Sequence, residues 1–92
     1  MVINMYLHIG NNMAVRQSDI VGVFDMDNTT VSKRGRNYLN KAQKNGEIIN
    51  AAEDLPRTYI VTHYNGKNRV YITSISCAAL MRRVKALGFL AE

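Results

Sequence analysis

Tryptophan is absent, proline occurs once, and Cys77 is the single cysteine among 92 residues. A lone cysteine forms no internal disulfide, so nothing ties the fold to an oxidising compartment. One Pro and six Gly exclude a collagenous chain, and 47% apolar against 21% charged residues excludes a disordered one. No apolar run approaches the roughly 20 residues of a membrane span, and the N-terminus lacks the basic start of a secretory signal. The expectation is a soluble cytoplasmic protein with no membrane partner. Residues 1–92 fit one domain. A chain this short hides only about 60–65% of its extended surface, so its core is thin.

Acids are scarce where bases are many. The formal charge is +5. Residues 1–32 hold one base (Arg16) against Asp19, Asp25 and Asp27, a net of −2. Residues 33–92 hold eleven bases against Glu47, Glu53, Asp54 and Glu92, a net of +7. Between Leu55 and Ala91 there is no acid. A field of one sign favours polyanions, chiefly nucleic acid, or an acidic membrane surface.

The hydrophobic pattern predicts an α+β fold with a small, mostly antiparallel sheet and two helices. A strand runs from Val2 to Ile9, with Met5, Leu7 and Ile9 on one face and Tyr6 and His8 on the other. Gly10-Asn11-Asn12 turns the chain, and Met13–Asp25 continues extended, its β-branched Ile20–Phe24 end reading as a buried strand. Asn28-Thr29-Thr30 offers caps for a helix over Val31–Asn45, ended by Gly46, with Tyr38, Leu39 and Ala42 as a narrow apolar stripe. Glu47–Asn50 reads as a short strand and Ala51–Pro56 as a loop.

Arg57–Tyr64 and Arg69–Ser74 form a hairpin around a four-residue turn, Asn65-Gly66-Lys67-Asn68. Tyr64 is then expected opposite Arg69, with Val61 opposite Ile72 and His63 opposite Val70. Ile60, Thr62, Tyr64 and Tyr71 fall on the other face. A last helix, capped by Ser76 or Ser74 and stopped at Gly88, carries Cys77, Leu80, Met81, Val84 and Leu87 as its apolar stripe. Both hairpin faces are half apolar, and two short helices look too few to cover both. A second subunit is therefore expected on one of them, and a contact that repeats head-to-tail closes into a ring.

Chemistry-bearing motifs are few. Val21-Gly22-Val23-Phe24-Asp25-Met26-Asp27-Asn28-Thr29 is similar to the nucleophile motif of haloacid-dehalogenase phosphatases, in which two aspartates at alternate positions meet magnesium and a phosphoryl group. The doubly wound parallel sheet of that family does not fit the residues that remain, and no late acid is available to hold magnesium. Asp25 and Asp27 equally favour a strand exit and the N-terminus of the following helix. His8 and His63 stand without ligand company, and Cys77 lies on an apolar helix stripe. No catalytic set, metal site, cofactor motif or small-molecule substrate emerges, and the chain reads as a non-enzyme.

Met5-Tyr6-Leu7-His8-Ile9-Gly10, Asp19–Asp25, Arg57-Thr58-Tyr59-Ile60-Val61-Thr62, Tyr71–Ser76 and Leu80-Met81-Arg82-Arg83 occur in an order and spacing that resembles the bacterial extracellular-matrix regulator family RemA/RemB, on its RemB-like branch. The resemblance spans nearly the whole chain from Met5. It implies a small DNA-binding transcription regulator of biofilm-matrix genes that assembles into homo-oligomeric rings and meets double-stranded DNA through arginines. Arg57 matches a basic position of the family. Pro56 stands where other members carry a second arginine, and Asp19 where they can carry a base. The residues expected at the DNA are Arg57 and Arg16, with the helix cluster Lys33, Arg34 and Arg36. An oligomeric adaptor that binds another protein is the alternative, and the phosphatase is a remote third.

Overall fold

The computed structural model describes residues 5–26 and 33–86. Along them run β1 (Tyr6–Gly10), β2 (Met13–Arg16), a 3-10 turn (Gln17–Asp19), β3 (Ile20–Asp25), α1 (Lys33–Lys44), β4 (Ile48–Asn50), β5 (Thr58–Tyr64), β6 (Lys67–Thr73) and α2 (Cys77–Ala86). β1 and β2 form a two-stranded ribbon, and the other strands form one sheet in the order β3-β5-β6-β4. Only the β4–β6 pair in it is parallel. The class is α+β, as the pattern predicts.

Turn chemistry sets the register at the centre. Asn65 and Gly66 have φ of 54° and 78°, the two-residue turn whose twist matches the strands that it joins. Lys67 and Asn68 are therefore strand residues, and Tyr64 pairs with Lys67. Val61 pairs with Val70, and His63 with Asn68. The expected four-residue turn and its register are thus off by two residues. An even slip leaves every side chain on its expected face, so the two faces stand. The β1–β2 turn works alike, with Asn11 and Asn12 at φ of 52° and 59°. Gly10 before it is obligatory on two counts: its φ is 110°, and a Cβ there would lie 3.1 Å from the Ala51 carbonyl oxygen.

Both faces of the β5–β6 hairpin are closed by this chain. On one, Ile60 packs with Leu7, Ile9 and Val15 of the ribbon, Ala51, and Leu80 of α2. On the other, Tyr59, Val70 and Ile72 pack with Ala42, against which Leu39 and Met26 also sit. The expectation that a second subunit must cover a hairpin face is corrected here, because the ribbon supplies the cover that two helices alone would not. Buried threonines tie the layers: Thr73 Oγ1 donates to the Ile9 carbonyl and accepts from the Ile75 N–H at 3.1 Å. Arg83 Nη1 pins α2 to β1 through the His8 carbonyl at 2.9 Å.

Other boundaries shift for local reasons. The expected continuous strand Met13–Asp25 is broken by the 3-10 turn. β3 is an edge strand rather than a buried one, with Val21 68% and Phe24 43% exposed. Val21 is the extra residue of a bulge between Ile20 and Gly22. Ser76 caps α2, its Oγ accepting from the Ala79 N–H at 3.2 Å, and Gly46 takes φ of 71° after α1. Met81, expected on the apolar stripe of α2, is exposed. Residues 1–4, the caps Asn28-Thr29-Thr30, and Leu87 and Gly88 lie outside the described residues. Ile60 is fully buried, so Ile60→Ala is expected to cost about 2–5 kcal/mol in urea unfolding. Lys41→Ala on the open face of α1 is expected to stay within about 0.5 kcal/mol.

Candidate functional site

Arg57 is held at the entrance to the sheet. Its N–H donates to the Thr73 carbonyl and its carbonyl accepts from the Met26 N–H, both at 2.9 Å. The backbone is fixed on two sides while the side chain stands in solvent. Arg16 sits at the opposite end of β5, over the ring of Tyr64 at 4.1 Å from guanidinium carbon to centroid. The seven residues of β5 between them span roughly 23 Å. Lys33, Arg34 and Arg36 are exposed in the first turn of α1, which covers the sheet face opposite the ribbon. One protomer therefore distributes the five expected residues over three places.

The environment of Arg16 differs from that of the others. Its Nε and Nη2 donate to the two carboxylate oxygens of Asp19 at 3.1 and 3.0 Å. That hydrogen bond raises the Arg16 pKa still further above its ordinary value, partial burial opposes it, and the Asp19 charge adds to it. The side chain is half-buried, oriented by Asp19 below and Tyr64 beside it, and its charge is already balanced.

Arg16 forms one wall of a cavity of about 410 Å³ between the ribbon and the tip of the β5–β6 hairpin. Tyr6, Tyr64 and Tyr71 bring ring surface to it, and Lys67 and Arg69 bring positive charge. The register explains the grouping: Lys67, Arg69 and Tyr71 alternate along β6 opposite Tyr64, Thr62 and Ile60. All point to the ribbon side of the sheet, and the ribbon is too short to cover the tip. Lys67, Arg69 and the tyrosines are absent from the sequence-based choice. The signal was there as alternation, but reading Lys67 and Asn68 as turn residues removed Lys67 from the strand pattern.

A second feature lies on the α1 side at the β3 edge. Phe24, Tyr59 and Tyr38 stack in series, with centroids 5.1 and 6.2 Å apart. Val21 and Val61 complete an apolar hollow with them. A Cβ on Gly22 would meet the Phe24 ring at 2.6 Å, so glycine is what lets that ring lie across the strand. Tyr38, Phe24 and Val21 all remain exposed at this edge.

Neither feature is a phosphatase centre. Asp25 ends β3 opposite Thr58, on the edge of a mainly antiparallel sheet, and Asp27, Asn28 and Thr29 lie outside the described residues. The doubly wound parallel sheet of that family is not this fold. Cys77 is half-buried with its sulfur 3.7 Å from Thr58 Oγ1, and His63 Nδ1 meets Asn68 Oδ1 at 2.6 Å. Among the described residues no three His, Cys, Asp or Glu are placed to hold a metal ion, and no helix is long and apolar enough to cross a membrane.

Partial desolvation of its hydroxyl raises the Tyr38 pKa above the ordinary phenol value, with the charges of Glu47 and Tyr59 adding to it. The fold thus favours the neutral phenol, and the stability this contributes is complete below about pH 10 and lost as pH climbs further. Urea midpoints measured from neutral to strongly alkaline pH are expected to fall less steeply in Tyr38→Phe than in the parent.

Comparison with known proteins places the chain beside a characterised family. The RemA-like family model, described as extracellular matrix regulatory protein A-like, matches residues 6–84. Extracellular matrix regulatory protein B of Bacillus subtilis strain 168 is 30% identical over 81 residues, covering 88% of this chain and 91% of that protein.

Proposed function

Because the chain belongs to the RemA-like family of extracellular matrix regulators, we propose that it is a cytoplasmic DNA-binding transcription regulator of matrix genes. It acts as a homo-oligomer, through arginine contacts to the backbone of double-stranded DNA. The observation that carries this reading is the placement of charge. Every Lys and Arg from Lys33 to Arg83 is exposed. Two of the acids, by contrast, serve the fold: Asp19 holds Arg16, and Glu53 accepts the Asn11 N–H at 2.9 Å. Such a surface is suited to phosphates, which position a protein on DNA without reading bases.

Arg57 is the central contact, because its backbone is fixed and its side chain is in solvent. The α1 cluster of Lys33, Arg34 and Arg36 adds charge from the other sheet face, and Arg16 contributes the donors that Asp19 leaves open. Three scattered cationic places make a weak monomeric site. Repeating the protomer multiplies them, and the exposed Val21, Phe24 and Tyr38 at the β3 edge offer apolar surface for a self-contact that closes into a ring. The same edge is what favours the second reading, an oligomeric adaptor whose partner is a protein.

Gel-shift titration against duplex DNA tests the proposal. Affinity is expected to fall steeply between low and physiological salt, because each neutralised phosphate releases counterions. Arg57→Ala is expected to lower affinity by about tenfold and to flatten the salt slope, with the oligomer intact. Binding that ignores both salt and Arg57 overturns the proposal, and no binding at low salt favours the adaptor.

A further inference from the structure

The cavity between the ribbon and the hairpin tip sets aromatic rings beside its cations, which contacts to a duplex backbone do not need, and we propose that it is a binding site for a nucleoside phosphate. Its volume of about 410 Å³ is that of a small-ligand site. Its polar groups divide into two kinds. Lys67 and Arg69 are exposed, have no acid within ion-pair distance among the described residues, and project from alternate positions of β6 to the same side. Alternate strand positions lie roughly 7 Å apart, a spacing that lets two cations grip one phosphate or a phosphate pair.

The second kind is aromatic. Tyr6 and Tyr64 line the same cavity and are 55% and 57% exposed. Arg16 is stacked on Tyr64 and tied to Asp19, so this wall is planar, rigid and neutral. A flat wall of ring and guanidinium accepts a nucleobase face, with stacking worth the same for any base. Cations on β6 next to a stacking wall carried by β5 and Arg16 select a ligand that joins a dianion to a flat ring. A simple anion would use only half the site. A hydrophobic ligand would leave Lys67 and Arg69 without a counter-charge.

The same chemistry occurs in a free nucleotide and in an unpaired nucleotide of a strand, and the test separates the two. Equilibrium dialysis of the full chain in dilute buffer uses ADP, a short oligodeoxythymidylate and inorganic phosphate as probes. Saturable binding of ADP or the oligonucleotide is expected, tighter than that of phosphate, and the better competitor identifies the source. The double variant Lys67→Gln, Arg69→Gln is expected to weaken it by about tenfold or more. Tyr64→Leu is expected to weaken ADP while leaving phosphate unchanged. Arg57→Ala, which strikes the duplex contact, is expected to leave nucleotide binding as it was, so the two readings fail separately. Nucleotide binding no tighter than phosphate, or untouched by the Lys67 and Arg69 changes, overturns the site.

Discussion

The β5–β6 hairpin is apolar on both faces, and this constraint organises the whole chain. Ile60 on one side and Val70 on the other are both fully buried. A two-stranded hairpin is marginal alone, so one that is half apolar on each side needs two covers. The chain supplies one from its two ends, the β1–β2 ribbon with α2 on the Ile60 face, and the other from its middle, α1 on the Val70 face. Two small cores result. The buried threonine bonds from β6 to β1 and from Arg83 to β1 couple the N-terminal ribbon to the last helix.

With the apolar core of the hairpin closed internally, two exposed features stand out, the open hairpin tip and the β3 edge. The ribbon strands have five and four residues against seven and seven in the hairpin beneath. That mismatch leaves the hairpin tip uncovered, and the tip residues Lys67, Arg69 and Tyr64 border the open cavity. The β3 edge, bulged at Val21, is left with exposed aromatic and aliphatic side chains. An open cationic tip and an apolar edge thus follow from how little cover a short chain can provide.

Most elements and faces were legible in the sequence because period and turn chemistry report them directly, though not the break in Met13–Asp25 or the edge position of β3. Leu7 and Ile9 against Tyr6 and His8, the Ser76 cap, and the Gly46 stop all lie where the pattern puts them. The register of β5–β6 was not, because Asn65-Gly66 fits both a two-residue turn and the core of a longer one. The covering of both hairpin faces was also hidden, since nothing in Met5–Ile9 says which partner its apolar side will meet. Of the expected site, Arg57 was read as the first residue of the hairpin strand, and it lies one residue before β5 with its side chain exposed. The pairing of Arg16 with Asp19 was not, because it depends on a 3-10 turn inside a run that reads as extended. The family was legible from the order of five segments, each common by itself.

The most direct test of the account is the mass of the particle in solution, followed by light scattering as duplex DNA is added. A particle of several 10.4 kDa protomers that gains the mass of the duplex in dilute buffer, and releases it as salt rises, is the result that the account predicts. A protomer that stays single, with a mass unmoved by duplex at low salt, would contradict it.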